Sequence, residues 1–254
     1  MVREIQSITM SLKFPYTERI RRLVDKAEDV FSDLYHQPTV FPVPDDIEPT
    51  IPRITLNSKN GHSTISISQI GIDFVVEFDD QYRNDYDTCE TYVKERMHLV
   101  HTFLKYSKID PIHYVGLTTQ IRYINEDSED EIQLLKETYL EHFDTDDLYD
   151  YNQKITFLEN NEYYHNITVG NYRDYTGEII NGHIPAIVSF EKARIHRKGL
   201  FVVLDINNRH KYTNNGKSTS TESLDRVFEN MYRYNREWIG TKLYKYIPVN
   251  KEGE

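Results

Sequence analysis

The sequence has a single cysteine and no long hydrophobic run. Cys89 has no second cysteine with which to form an internal disulfide, and its place on the apolar side of a helix-patterned segment predicts a packed thiol. The first ten residues, MVREIQSITM, carry charge where a signal peptide needs an apolar core. No stretch approaches the roughly 18 apolar residues of a membrane span. We therefore expect a cytoplasmic protein that does not bind a membrane.

Positive charge is also scarce. The 254 residues include 30 Lys and Arg against 41 Asp and Glu, a net charge of −11. A protein that binds nucleic acid nonspecifically needs a clustered excess of cations to neutralise phosphates. Nucleic acid is therefore not the predicted partner. The 20 Tyr and 11 Phe supply large packing area, which predicts a folded chain.

The common catalytic and cofactor motifs are missing: there is no glycine-rich phosphate loop, G-x-S-x-G, paired C-x-x-C or H-E-x-x-H. Glu95, His98 and His101 are three residues apart and share a helix face. A di-iron carboxylate bundle would need a second E-x-x-H, which the chain lacks. Glu77 and Glu191 lack the Lys two residues later that a D…E-x-K nuclease requires. We predict no metal and no cofactor.

Hydrophobic periodicity predicts the order β-α-β-β-β-α for the first part of the chain. A proline-rich stretch after the first helix is predicted to be an extended surface loop. The predicted segments are a strand over Glu4–Phe14, a helix over Thr17–His36, the loop Gln37–Pro52, strands over Arg53–Asn57, His62–Ser68 and Ile72–Phe78, and a helix from Asp85 or Asp87 to Tyr106.

The second part repeats a β-α-(β)n-α order. Both of its helices are predicted to begin at a capping box, formed by Ser128 with Glu131 and by Thr219 with Glu222. A turn near Arg197 is predicted between its last two strands. The predicted strands are Ile112–Asn125, Ile155–Leu158, Tyr163–Val169, Ala186–Ile195 and Gly199–Ile206.

A short repeat links the two parts. Phe74-Val75-Val76 recurs 127 residues later as Phe201-Val202-Val203, and each copy precedes an amphipathic helix. We therefore predict an α+β fold made of two pseudo-repeated β-α-βn-α halves, residues 1–109 and 110–254, with antiparallel sheets that carry helices on one face. Whether the halves form one sheet or two is left open.

A family resemblance rests on three segments: Asp110-Pro111-Ile112 leading into a strand that ends IRYIN, the strand GLFVVLDIN, and the terminal helix with Phe228 and Trp238. Together they resemble a sporadically distributed family of bacterial proteins. That resemblance implies no established reaction, and it implies a defence or toxin-control context because members often lie beside mobile or defence genes. The family tends to carry two acidic residues two positions apart, where this chain has Asp205 and Asn207. The duplicated order also resembles the TATA-binding-protein type of fold, in which two halves build one curved sheet.

The best candidate for an anion site is a basic group around the predicted turn near Arg197. A phosphate or an acidic partner could contact it, a solvated hairpin is the simplest interpretation, and pairing with the chain's own acidic helix is a third. The group consists of Lys192, Arg194, His196, Arg197 and Lys198, joined by Arg209, His210 and Lys211.

The acidic excess is concentrated between Asn125 and Asp150, where eleven acidic side chains accompany one Lys. This stretch is either a solvated helix and loop or a surface for a basic protein partner. Calcium is excluded because Leu148 stands where an EF-hand needs oxygen. The candidate contact residues are Asp127, Glu131, Asp144, Asp146 and Asp147.

Asp205 ends the apolar strand GLFVVLDIN, where it could meet solvent, form a salt bridge between the halves, or take a ligand or catalytic role. The leading hypothesis is a non-enzymatic binding protein that recognises a protein or a small anionic ligand; a homo-oligomer stays open. The alternatives are an enzyme that acts on a phosphate-bearing substrate and an acidic mimic of nucleic acid.

Overall fold

The computed structural model describes residues 2–124, 131–139, 148–176 and 194–247, without the side chains of residues 131, 134, 176 and 194. The strands are β1 (Val2–Lys13), β2 (Thr39–Val40), β3 (Ile54–Asn57), β4 (Ser63–Ser68), β5 (Gly71–Glu77), β6 (Tyr114–Ile124), β7 (Asn152–Glu159), β8 (Tyr163–Thr176) and β9 (Arg194–Asn207). The α-helices are α1 (Val24–Phe31), α2 (Tyr86–Ser107), α3 (Glu131–Tyr139), α4 (Arg209–Asn215) and α5 (Leu224–Glu237).

The nine strands of the described ranges form one antiparallel sheet in the order β2-β3-β4-β5-β1-β6-β9-β8-β7. The α+β prediction is confirmed. β1 and β6 lie in the middle and pair from Val2 opposite Ile124 to Lys13 opposite Tyr114. The strands that were predicted in two parts of the chain therefore share one sheet.

The alternation of side chains explains why helices cover one face. Ile8, Met10 and Leu12 of β1 are almost completely buried, whereas Thr9 and Ser11 between them are half-buried on the other side. The buried side chains of the sheet, α1, α2 and α5 form one hydrophobic core. We call the two sides of the sheet the covered face and the open face.

The helix α2 lies within one residue of its predicted bounds, and Cys89 is on its buried side as predicted. The Asp85 side chain accepts a hydrogen bond from the Asp87 N–H, which caps the first turn. Lys108 ends the helix in the left-handed conformation at φ 57°. The stripe predicted to face inward is buried throughout: Cys89, Val93, Met97, Val100 and Leu104. None of the helices in the described ranges combines the length and the apolar character that crossing a bilayer requires.

Polar contacts join α2 to α5 across the covered face. Glu90, only 4% exposed, forms ion pairs with Lys94 at 2.9 Å and with Arg236 at 3.1 Å. Burial alone would raise the pKa of the Glu90 carboxyl, but hydrogen bonds from Lys94, Arg236 and Tyr86 outweigh it and leave that pKa below its ordinary value. His101 is also buried and contacts the Asp225 carboxylate and the Thr221 carbonyl.

The proline-rich loop is held by a buried arginine that the sequence pattern does not single out. Arg53 is fully buried, and its guanidinium donates to the carbonyls of Pro44, Ile47 and Ile51 and to the Gln69 side chain. These bonds satisfy carbonyls that a non-repetitive loop cannot pair within itself. The loop prediction is confirmed, apart from the two residues of β2.

Three predictions of local structure are wrong. The helix over Thr17–His36 is shorter, with one 3₁₀ turn before α1, because Tyr35 pairs with Ser58 in a β-bridge. The turn near Arg197 does not exist, because β9 is one continuous strand that pairs with β8 from Asn207 to Arg194, with a single bulge at His196. The capping box at Thr219 is not formed: Thr219 bridges Ile112 instead, and a 3₁₀ turn precedes α5. Ser128, the residue predicted to cap α3, and the predicted strand residues 186–193 lie outside the described residues.

The two copies of the short repeat, Phe74-Val75-Val76 and Phe201-Val202-Val203, are not structurally equivalent. Phe74 and Val76 face the core and Val75 is exposed, whereas Val202 faces the core and Phe201 lies on the open face. The aligned residues therefore point to opposite sides of the sheet. A one-residue shift is enough to cause this, because side chains alternate along a strand.

Candidate binding surface on the open face

The open face is lined mainly by short polar side chains. The cross-strand register places one row of them across five strands, with a hydroxyl, a carboxylate or an amide at each step. All of its members are at least partly accessible: Thr9, Thr118, Asp205, Asn166 and Thr156. Because these side chains are short, an approaching molecule could come close to the backbone of the strands.

Asp205 is the centre of a hydrogen-bond network in this row. Its Oδ2 accepts from Asn166 Nδ2 at 2.9 Å, and both carboxylate oxygens lie 3.1 Å from Asn207 Nδ2. The Thr156 hydroxyl in turn donates to Asn166 Oδ1 at 2.8 Å. The carboxylate is therefore held in one orientation by neutral amides, and within the described ranges it forms no ion pair.

Gly116 makes the next row shallow beside this carboxylate. It lies between Ser11 of β1 and Asn207 of β9. A methyl group added at Gly116 would lie 3.4 Å from Asn207 Cβ and 3.9 Å from Asp205 Oδ1, an ordinary contact distance. The glycine thus leaves an open notch one methyl group deep next to Oδ1.

Aromatic and basic side chains border the notch where β9 leads into α4. The guanidinium of Arg209 lies 5.6 Å from the Tyr114 ring centroid. The Tyr212 ring stacks on His113 with centroids 4.4 Å apart. The Asn207 side chain accepts a hydrogen bond from the Arg209 N–H, so the residue that orients Asp205 also fixes the start of α4.

The other end of the open face is rich in ion pairs. Arg122 reaches across β9 to Asp174 at 2.6 Å and lies 4.4 Å from the Tyr172 ring centroid. Arg197 lies 3.8 Å from the carboxylate of Glu4, which is only 5% exposed. Burial raises the pKa of the Tyr172 hydroxyl to about 12. Sequence reasoning missed Arg122 because its partner is 52 residues away.

The predicted basic group is not one cluster. Arg197 and Lys198 lie near the start of β9, whereas Arg209 and Lys211 follow its end. At about 3.3 Å per residue, the ten residues from Arg197 to Asn207 separate the two ends by roughly 33 Å. The prediction that they surround one hairpin is therefore wrong, because a continuous strand replaces the turn.

The members of that group also have partners of their own. Lys211 pairs with Glu162 at 2.9 Å, and Arg197 pairs with Glu4. His196 is exposed at a β-bulge in which β8 supplies no residue opposite it. Lys192 and the side chain of Arg194 lie outside the described residues.

The acidic candidate surface cannot be placed. Asp127, Asp144, Asp146, Asp147 and the side chain of Glu131 lie outside the described residues. Asp150 at the end of the acidic stretch is described, and it accepts from Arg173 at 3.1 Å and from the Asn171 amide at 3.2 Å.

The three candidate ligands on α2 do not converge. Glu95 pairs with Arg96 at 2.7 Å, His98 is exposed, and His101 is buried against Asp225. No group of three residues able to hold a metal ion is present in the part of the chain that the structure describes.

Cys89 is a packed thiol, as predicted. It is fully buried and its Sγ donates to the Tyr82 carbonyl at 3.3 Å. Burial raises the pKa of the thiol to about 12, so the nucleophilic thiolate does not form near neutral pH.

A cleft of about 420 Å³ lies beside the first turns of α2. Its charged side chains already have partners, since Asp87 pairs with Arg236 at 2.8 Å and Glu95 pairs with Arg96. The Asp205 network therefore offers the less compensated charge.

Comparison of the chain with protein-family models and with curated proteins gives no match.

Proposed function

We propose that this chain is a non-catalytic binding protein and that the open face of the sheet around β6, β9 and β8 is its recognition surface for a protein partner. One observation carries the proposal. The Asp205 carboxylate is partly accessible on a face that, of the described helices, only the short α4 contacts, at one end, and it is held by Asn166 and Asn207. Such prior ordering lowers the entropy cost of binding.

The proposal includes an origin by duplication. β1 and β6 are neighbours in the middle of the sheet, with β5 beside β1 and β9 beside β6. β5 is followed along the chain by α2, and β9 by the short α4 and then α5. This order supports two related halves, residues 1–109 and 110–254, and an analogy with the TATA-binding-protein type of fold, in which two halves build one curved sheet. Fold analogy alone does not define the ligand.

The face chemistry favours a protein over a phosphate-bearing ligand. The cations Arg122 and Arg197 are paired with Asp174 and Glu4, so a phosphate would have to displace carboxylates. The alternative of an enzyme with a phosphate-bearing substrate, and the defence or toxin-control context that the family resemblance implies, stay predictions.

The test uses a photo-crosslinking amino acid at Thr118, which stands opposite Asp205 on the open face. The matched control carries the same amino acid at Glu229 on α5, whose side chain is 69% exposed. Crosslinking in the native host should join a defined protein to the Thr118 variant and not to the Glu229 variant. Equal crosslinking at both positions, or metal-dependent turnover of nucleotides that Asp205→Ala abolishes, would refute the proposal.

A further inference from the structure

We infer that the notch at Gly116 receives the side chain of an arginine or lysine from a basic protein partner, with Asp205 as its counterion. This inference rests on the proposed function, because it names the group that the open face recognises. It also assigns Asp205 a role as a ligand-binding residue.

The hydrogen bonds that the Asp205 carboxylate already accepts leave room for a ligand that donates a further one. A carboxylate has about four acceptor positions. On Oδ2, Asn166 and Asn207 both contact the oxygen, whereas Oδ1 is contacted only by Asn207. An acceptor position on Oδ1 is therefore left for a molecule that enters from outside, and only an N–H or O–H group can use it.

The charge of the site selects a cation among donors. The amides that orient Asp205 are neutral, and no described residue forms an ion pair with it. Two other carboxylates of the same face have cationic partners, since Asp73 pairs with Lys13 at 3.1 Å and Asp174 pairs with Arg122, whereas Glu77 is exposed to solvent at the far strand β5. A charge-assisted hydrogen bond is roughly twice as strong as a neutral one.

The shape of the surface fits a long, narrow side chain. Gly116 opens the notch beside Oδ1, and Ser11 and Thr118 flank it with hydroxyl groups that can accept further N–H bonds. The Tyr114 ring stands two residues from Gly116 on the same side of β6 and already contacts the chain's own Arg209 guanidinium and Tyr212 ring, so Arg209 is engaged by an aromatic ring rather than by Asp205.

The experiment measures binding of a fluorescent nona-arginine peptide to the full chain by anisotropy at 150 mM salt, roughly a physiological ionic strength. Asp205→Asn keeps the shape and removes one charge. Its control is Glu77→Gln, which removes one charge from an exposed residue of β5 on the same face. We expect Asp205→Asn to weaken binding about tenfold, or 1.4 kcal/mol, and Glu77→Gln to change it less than twofold.

A second variant tests whether the peptide needs access to the notch as well as the charge of Asp205. Gly116→Leu leaves Asp205 in place and fills the notch, so it should weaken binding as much as Asp205→Asn does. Equal losses for Asp205→Asn and Glu77→Gln would mean that only the net charge attracts the peptide, and this would overturn the inference. Tight binding by Gly116→Leu would do the same.

Failure of the Asp205 inference can be distinguished from failure of the proposed function. If the open face binds a protein without using Asp205, the Thr118 crosslink persists in the Asp205→Asn background and the peptide assay shows no specific loss. If the open face binds no protein, the crosslink itself is absent.

Discussion

The two faces of the sheet are built from alternate residues of the same strands, yet the covered face is mainly apolar and buried, whereas the open face mixes polar with apolar side chains and is only half-buried. Along β9 the covered face has Leu200, Val202, Leu204 and Ile206, all fully buried. The residues between them, ending in Asp205 and Asn207, are half-buried on the open face. Stability therefore depends mainly on the covered face, which leaves the open face free to be selected for binding.

The treatment of charge follows the same division. On the covered face Glu90 is almost inaccessible, and two cations neutralise it. On the open face the side chains that donate to the Asp205 carboxylate are amides only, among the described residues. A buried charge needs a partner to offset its desolvation, whereas a half-buried one is still partly stabilised by water.

The largest effect is expected from placing a charge on one face or the other of the same strand. Val202→Asp puts an unpaired carboxylate into the core and should lower the free energy of unfolding by more than about 4 kcal/mol. Val203→Asp adds the same group to the half-buried open face and should cost less than about 1 kcal/mol. Urea denaturation of both variants measures the difference, and similar losses would contradict the division into two faces.

A smaller effect is expected when the paired charges are uncoupled. Glu90→Gln leaves Arg236 and Lys94 without their buried acceptor and should cost about 2 kcal/mol. The open-face counterpart Asp205→Asn, which loses only amide contacts, should stay within about 0.5 kcal/mol. Thermal unfolding of the two variants side by side would show whether the carboxylates differ; an equally stable Glu90→Gln protein would count against the ion-paired interface between α2 and α5.

The pH dependence should also come from the covered face. Burial lowers the pKa of His165, so this ring stays neutral in the folded protein while the unfolded chain takes up a proton. Stability should therefore be complete above pH of about 6.5 and fall on acidification, with a further loss below about pH 4.5, where Glu90 of the unfolded chain is protonated.

The single tryptophan reports this transition directly. Trp238 donates through Nε1 to His165 Nδ1 at 2.9 Å, so its fluorescence follows the state of that contact. His165→Leu should flatten the loss that begins below about pH 6.5 and leave the loss that begins below about pH 4.5. An unchanged profile would mean that other groups, such as His113 with its lowered pKa, dominate.

The smallest expected effect is the absence of a reaction at Cys89. Cys89 should not react with a thiol reagent at pH 8 in the native protein, because the thiol is fully buried and its pKa is about 12. It should react fully in urea. Rapid labelling of the native protein would show that the covered face opens locally near the start of α2.

Much of the covered face could be predicted from the sequence. The stripes of α2 and α5 repeat with the helical period, and Cys89, Val100, Phe228 and Met231 are buried as the pattern predicts. Strand β1 could be predicted in the same way, because Ile8, Met10 and Leu12 alternate with Ser and Thr. These features depend on neighbours a few residues away, which is the range over which a sequence pattern carries information.

The candidate site could not be predicted in the same way. Asp205 was identified only as an acid at a strand end, since its partner Asn166 is 39 residues away and is brought beside it by the pairing of β8 with β9. The predicted basic cluster does not form for a related reason. Its members are close in sequence around a supposed turn, but a continuous β9 holds them at opposite ends.

By itself, then, the sequence determined the α+β class, the buried stripes and the buried thiol, because each follows from local periodicity and the hydrophobic effect. Only the tertiary structure decided that all nine strands form one sheet, that Arg53 binds the carbonyls of a loop, and that Asp205 has amides rather than cations around it. Strand order and register place residues together that lie tens of positions apart. No local pattern encodes which of them will meet.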